Sequence, residues 1–315
     1  MRLVHEFAAL KRGAPTVLTI GAFDGVHRGH QFLIQQVVDR ARELHCDSMV
    51  ITFDPRPSVV LRVDQYQLTN GLAKALMITA LGIDVLVVLP FTSDLASLSA
   101  GEFLASILQH VNLVEIWTGA DFAFGHKREG NVQFLERAGR DPGFEVQVVE
   151  RQQVGPEAIS SSAVRKLVSA GEIARAAQIL GHYPGFDGLV VGGFGRGKEL
   201  GFPTANVRPP IHQQLPATGI YAGYLGFNGR RLGAAISVGY NVVFGGTAIV
   251  VEAYVLDFSG DLRDAEVRLD FVDRIRPERD FASVSALIAE MHRDVDKVRH
   301  ILATAADPSG RTPSP

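Results

Sequence analysis

The chain of 315 residues holds a single cysteine, Cys46, so an internal disulfide is impossible and a reducing compartment is expected. No apolar run approaches the ~18 residues that a membrane-spanning helix needs. The first residues, Met1-Arg2-Leu3-Val4-His5-Glu6, lack the apolar stretch of a signal peptide. Neither charge sign dominates: 31 basic residues face 34 acidic ones, for a net charge of −3. That balance gives no case for nucleic-acid binding, although local basic groups remain available to small phosphorylated ligands. No internal repeat is visible. These absences predict a cytoplasmic protein with no membrane or nucleic-acid partner, a monomer or weak homo-oligomer.

What is present is enough apolar material for real cores, 46% of the chain, and a length that favours two domains. The first half alternates predicted strands and helices. Thr16–Ile20, Ser48–Phe53, Asp84–Leu89, Val114–Thr118 and Phe144–Val149 read as strands. Helical spacing recurs over Gln31–Leu44, Gly71–Leu81, from Ser99 onward, and over Val132–Ala138; Ser162–Ala170 and Glu172–Leu180 close this half. Apolar strands separated by helices predict an α/β domain, a parallel sheet covered on both faces with ligands at the strands' carboxyl ends.

After Pro184 the texture changes. Short alternating strands at Phe186–Val191, Ile220–Gly226, Arg231–Ser237, Ile249–Leu256 and Glu266–Phe271 are separated by Gly, Asn and Asp turns. Asn228-Gly229 is a two-residue hairpin signal. The pattern predicts a small antiparallel β-barrel. One helix follows, with Val284, Leu287, Ile288, Met291, Val295, Val298 and Ile301 on an apolar stripe. The expected domains are 1–183 and 184–303, with a disordered tail over 304–315.

The most informative segment is Gly21-Ala22-Phe23-Asp24-Gly25-Val26-His27-Arg28-Gly29-His30. It lies between the first predicted strand and helix. A helix start offers unpaired N–H groups and the positive end of a dipole, and glycines let backbone approach an anion. His27 and His30 add donors three residues apart. A turn with two solvated histidines is the plainer reading; a zinc pair lacks a third ligand at suitable spacing. The segment resembles the nucleotidyltransferase signature, and in its fuller form that of bacterial FAD synthetases.

Other segments extend that resemblance. Phe53-Asp54-Pro55-Arg56-Pro57 ends the second predicted strand, and Gly119-Ala120-Asp121-Phe122-Ala123-Phe124-Gly125 ends the fourth. Phe53, Asp54, Pro55, Phe122 and Phe124 are candidates for the flavin, with the two aromatics of the second loop suited either to clamp a flat ring or to plug the core. Asp121 is a candidate for a ribose hydroxyl or adenine group. Leu68-Thr69 through Lys74 to Pro90-Phe91-Thr92 resembles the family mainly in the scaffold. Ser160, Ser161 and Ser162 before Arg165 make a good helix cap and also a phosphate cradle; the family carries a similar motif for ATP phosphates. The resemblance implies adenylyl transfer: the phosphate of FMN attacks the α-phosphorus of ATP and pyrophosphate leaves. It puts His27 and His30 on the transferring phosphates, Arg165 on the pyrophosphate, and Gly21, Phe23, Asp24, Gly25 and Gly29 around the nucleotide.

The second long motif is Gly193-Phe194-Gly195-Arg196-Gly197-Lys198-Glu199-Leu200-Gly201-Phe202-Pro203-Thr204-Ala205-Asn206. Gly195, Arg196, Gly197 and Lys198 suit a phosphate-covering loop, and it is not a Walker A sequence. Thr204 and Asn206 face one side of an extended segment and are candidates for Mg2+ and ATP oxygens. The run resembles the riboflavin kinase module of bacterial bifunctional enzymes. That resemblance makes Glu252 the base for the riboflavin 5′-hydroxyl; alone, it reads as a solvated strand residue.

Departures from the family occur in the second half. Asn241-Val242-Val243-Phe244-Gly245 replaces Asn-Pro-Thr before Phe-Gly, Ile249 stands where an arginine is usual, and Leu262-Arg263-Asp264 replaces a Leu-Tyr-Gly turn. In the first half, Asn131 stands where an acid is usual. The expectation is a bifunctional enzyme making FMN from riboflavin and FAD from FMN. One rival reading keeps only the adenylyltransferase, with a kinase-like domain that is degenerate, regulatory or specific for a modified flavin. Another is a nucleotidyltransferase for a different acceptor, which would leave the barrel unexplained.

Overall fold

A computed structural model describes residues 1–306 and 308, except 11, 64, 65, 151, 152, 155, 156, 194–196, 198, 199, 244 and 245. Of residues 154, 157, 241–243 and 246–248 only the backbone is described. The chain divides into two compact units, Met1–Ser160 and Ser161–Pro315.

The first unit is built on strands β1 (Arg2–Val4), β2 (Pro15–Ile20), β3 (Asp47–Asp54), β4 (Val85–Pro90) and β5 (Asn112–Gly119). A two-residue pair, β6 (Ala123–Phe124) and β7 (Gly130–Asn131), precedes β8 (Glu145–Val149). The sheet runs β1-β4-β3-β2-β5-β8 and every pairing in it is parallel. Helices α1 (Arg28–Glu43), α2 (Pro57–Val60), α3 (Gly71–Thr79), α4 (Ser93–Ser97), α5 (Ala100–His110) and α6 (Val132–Ala138) connect the strands. Successive strand residues serve opposite faces. Leu18, Ile20, Met49, Ile51, Val85 and Val87 pack with Phe103, Leu104 and Ile107 of α5. Val50, Leu86 and Val88 pack on the other side with Ile34 and Val38 of α1 and Ile78 of α3. Asn131 is the N-cap of α6, accepting from Phe134 N at 2.9 Å, a role an acid fills equally well. β9 (Gln153–Val154) pairs with β10 (Glu157–Ala158) near the end of this unit. The strand order reverses between β2 and β5, so the crevice of this sheet opens beside the carboxyl end of β2. The short edge strand β1 carried too little periodicity to be expected.

In the second unit α7 (Ser161–Ala170) and α8 (Ile173–Leu180) lead into a closed antiparallel barrel of order β11-β12-β15-β14-β13-β16. Its strands are β11 (Gly185–Val191), β12 (Thr204–Arg208), β13 (Gly219–Phe227), β14 (Arg230–Val243), β15 (Gly246–Val255) and β16 (Glu266–Arg276). Asn228 and Gly229 take φ of 47° and 73°, the two left-handed positions of a tight hairpin turn. Phe186, Val207, Leu225, Ile236, Val251, Ala253 and Leu269 fill the barrel. The helix α9 (Val284–Thr304) packs Val295, Val298, Ile301 and Leu302 against the outside, on Ala222, Ala235, Tyr254 and Leu256.

Three expectations differ from this arrangement. The helices α7 and α8 group with the barrel: Ile173 belongs to its core, and Gly171 abuts Arg274 and Tyr221. The apolar stripe of α9 does not begin at Val284, which is 61% exposed. Buried Glu290 and Asp294 anchor that helix instead, with Arg276 Nη2 donating to Asp294 at 2.7 Å and Arg279 paired with Glu290 at 2.7 Å. Thr304 is helical, and residues 307 and 309–315 of the expected tail lie outside the described residues.

Candidate active sites

The signature segment folds as a strained loop at the carboxyl end of β2. Phe23, Gly25 and Val26 all have positive φ, at 47°, 78° and 37°. A β-branched residue in that region is costly, and such strain persists only where surroundings over-determine it. Here they do. Asp24 Oδ1 accepts from Leu68 N at 2.8 Å and Thr69 N at 3.3 Å, and Oδ2 pairs with Arg56 at 3.3 Å. Gly25 N donates to Thr69 Oγ1 at 3.1 Å. Asp24 is buried and committed to Arg56 and the 68–69 backbone, so it braces the loop. Phe23 is buried in the sheet core against Ile34 and Ile78. Gly21 leaves room for that ring: a Cβ there would lie 2.9 Å from it. Gly29 sits similarly beside His27, 3.3 Å from Nδ1 to an added Cβ.

His27 is the N-cap of α1, and its Nδ1 accepts from His30 N at 3.3 Å. The two imidazoles stack, and the edge of Phe23 closes on His30 with centroids 5.1 Å apart. His30 Nδ1 is enclosed and has no hydrogen-bond partner. Burial, then the neighbouring His27 and Lys74, hold the His30 imidazole well below its usual basicity. The His30 imidazole therefore rests neutral near the helix N-terminus, where an anion would be welcome.

Lys74 was read only as part of the scaffold. It is buried on α3, and its ammonium donates to Ala22 O at 3.2 Å and Phe53 O at 2.5 Å. Burial pulls it down to about 8, with Asp54 and Asp24 opposing that shift and Arg56 adding to it.

The remaining candidates of this unit follow β3 and β5, the neighbours of β2. Phe53 is half-buried with its edge to Phe91, and Phe122 stacks on Phe124 at 5.4 Å. Phe124 also meets Phe103 and Phe134, so these rings pack against the core on one side and keep partial exposure. Asp54, Pro55 and Asp121 are exposed. A Cβ on Gly71 would lie 2.1 Å from Asp54 Oδ2, so the carboxylate sits against the start of α3. Ser160 closes the first unit, whereas Ser161 and Ser162 begin α7 in the second. Arg165 Nη2 donates to Ser162 Oγ at 3.2 Å.

In the barrel unit Phe194, Gly195, Arg196, Lys198 and Glu199 lie outside the described residues, as do Phe244 and Gly245 and the side chains of Val242 and Val243. The described part forms one surface. Cross-strand partners share a face. Asn206 pairs with Glu252, which pairs in turn with Ser237; Thr204 pairs with Tyr254. The alternate residues Ala205, Val207, Val251 and Ala253 point inward, so Thr204, Asn206, Ser237 and Glu252 line the outer face. Gly193 and Gly197 lie against it: a Cβ on Gly193 would be 2.1 Å from Asn206 Nδ2, and one on Gly197 3.2 Å from Thr204 Oγ1. The sequence places Thr204 and Asn206 together on an extended segment but does not mark β12 as a barrel strand, because Thr-Ala-Asn-Val-Arg has little strand character. Glu278 Oε1 would lie 2.2 Å from a Cβ on Gly239 of β14. Thr204 and Asn206 offer hard oxygen donors beside the Glu252 carboxylate, which fits a small divalent cation. Among the described residues no group of three or more His, Cys, Asp or Glu could hold a metal by itself, so such an ion would lean on substrate oxygens.

Comparison with known proteins divides the chain in the same order. The family model for FAD synthetase matches residues 10–163, and that for riboflavin kinase matches 180–302. A bifunctional riboflavin kinase/FMN adenylyltransferase of Listeria monocytogenes is 35% identical over 92% of this chain and 94% of its own length. The Pseudomonas fluorescens protein of the same name is 33% identical over 97% of this chain and 98% of its own. Among solved structures, one from Streptococcus pneumoniae named as a macrolide-efflux protein superposes with a TM-score of 0.86 at 28% identity. It covers 94% of this chain and 98% of that one. No described helix of the present chain is long and apolar enough to cross a membrane.

Proposed function

The chain belongs to the bifunctional riboflavin kinase/FMN adenylyltransferase family, and from that premise we propose which of its residues carry each reaction. The enzyme phosphorylates riboflavin to FMN and adenylylates FMN to FAD, and the reading of the barrel as a non-catalytic partner is not retained. ATP is the phosphoryl and adenylyl donor in this proposal.

Adenylyl transfer requires in-line positioning and neutralisation of charge rather than a protein nucleophile. His27 and His30 supply donors at the α1 N-terminus, where the phosphates of ATP meet the dipole. Arg165 holds the departing pyrophosphate, and Ser160, Ser161 and Ser162 add hydroxyls; the adenylyltransferase module would then run to residue 183. Asp54 and the half-exposed rings of Phe53, Phe122 and Phe124 face the flavin. Asp121 takes the ribose or adenine.

Kinase chemistry needs a base at the riboflavin hydroxyl and a cradle for the triphosphate. Glu252 is the base, and Thr204 and Asn206 hold Mg2+, which would neutralise the phosphates. Gly195, Arg196, Gly197 and Lys198 cover them. The observation that supports this assignment is the register Asn206–Glu252, which sets these two residues side by side on one face. The test compares Glu252→Ala with wild type: FMN formation is lost while FAD formation from FMN persists. Unchanged FMN formation would clear Glu252 of the role.

A further inference from the structure

Lys74 has no part in the chemistry assigned above, yet its ammonium lies against both the signature loop and the carboxyl end of β3. It is 4% exposed, and its ammonium bridges the carbonyls of Ala22 and Phe53. Ala22 is in the signature loop and Phe53 at the carboxyl end of β3, so one side chain ties together the two backbone segments that frame the crevice. Burying an ammonium is costly, and two neutral carbonyls alone do not require a full charge. Opposite charges face it from Asp24 of the loop and Asp54 of β3; Arg56, His27 and His30 are the other titratable or cationic groups of the cluster.

We propose that Lys74 is a positioning residue for adenylyl transfer, fixing the Ala22 and Phe53 carbonyls and with them the loop that presents His27 and His30. Its charge has a second effect. It adds to burial and to the neighbouring His27 in disfavouring a proton on His30, so the imidazole meets the incoming phosphate as a neutral donor. The proposal rests on the adenylyltransferase reading of this unit.

The test uses the full chain as wild type, Lys74→Met and Lys74→Arg. FAD formation from FMN, riboflavin phosphorylation and the NMR titration of His30 are measured in each. Trp117, the single tryptophan, reports whether the first unit is folded. Lys74→Met is expected to lower kcat for FAD formation by about 100-fold. It should leave riboflavin phosphorylation unchanged and move the His30 titration to higher pH. Lys74→Arg keeps the charge, so His30 titrates as in wild type and the rate falls less. A folded Lys74→Met enzyme with wild-type kcat, or with an unmoved His30 titration, overturns the proposal. If Lys74→Met loses the native Trp117 emission, Lys74→Arg decides: a folded enzyme whose His30 titrates at higher pH overturns it, and one whose His30 stays low supports it. Wild-type protein that makes no FAD removes the underlying reading instead.

Discussion

His27 and His30 stack with ring centroids 3.5 Å apart and planes within 17° of parallel. Two imidazolium ions do not share such a contact without strong repulsion. The pair therefore carries at most one proton at rest, and the dipole of α1 supplies much of the remaining attraction for phosphate. His30→Ala removes one donor from the site of charge development. FAD formation from FMN should fall by roughly 10²–10³ in kcat while riboflavin phosphorylation is spared. Chromatography of both products from one enzyme preparation reads this; equal loss of both activities would show that the reactions share a site.

Asp24 is the brace of the signature loop. Asp24→Ala removes the carboxylate that faces the buried Arg56 guanidinium and accepts from two backbone donors, leaving Arg56 its contact to Tyr66 O. Breaking a buried pair from one side costs about 3–5 kcal/mol. Urea unfolding followed by Trp117 fluorescence should show a loss of that size. A loss within experimental error would mean that Asp24 does not hold the loop.

Lys74 also leaves a mark on stability. It loses its proton near pH 8 in the folded chain and near 10.5 when unfolded. Below pH 8 both states are protonated and the burial cost, about 3 kcal/mol, is fully present. Between the two values the unfolded chain binds more proton, so this contribution makes stability rise with pH. Unfolding free energies at pH 8 and pH 10 should therefore increase more in wild type than in Lys74→Met. Identical pH dependence in the two proteins contradicts an ionised, buried Lys74.

Gly193 controls the second site. An added methyl would lie 2.1 Å from the Asn206 amide, which must then rotate away from Glu252 or lift the loop. Gly193→Ala should lower kcat for riboflavin phosphorylation by tenfold or more and leave FMN adenylylation untouched. Wild-type kinase rates would show that Asn206 is free to move without consequence.

The central strands of the first unit were legible because residues such as Val17, Leu18, Val50 and Ile51 are buried on both faces and leave continuous apolar runs. The two histidines stood out because core packing asks for neither. The bracing contacts of Phe23 and Asp24 were not legible for a physical reason. A nucleotide motif contains both residues that touch ligand and residues that hold the loop in left-handed backbone, and spacing does not separate them. Lys74 and Arg276 were hidden for a related reason. A cation in sequence reads as surface, and only the fold brings the carbonyls and carboxylates that let it be buried. The helices α7 and α8 have clear periodicity, but which core their apolar faces join is set by long-range contacts.

The most direct test gives the purified chain ATP and Mg2+ with riboflavin in one reaction and FMN in another. The account predicts FMN and then FAD in the first, and FAD with pyrophosphate in the second. FMN left unchanged in the second reaction would contradict the adenylyltransferase assignment, and riboflavin left untouched in the first would contradict the kinase.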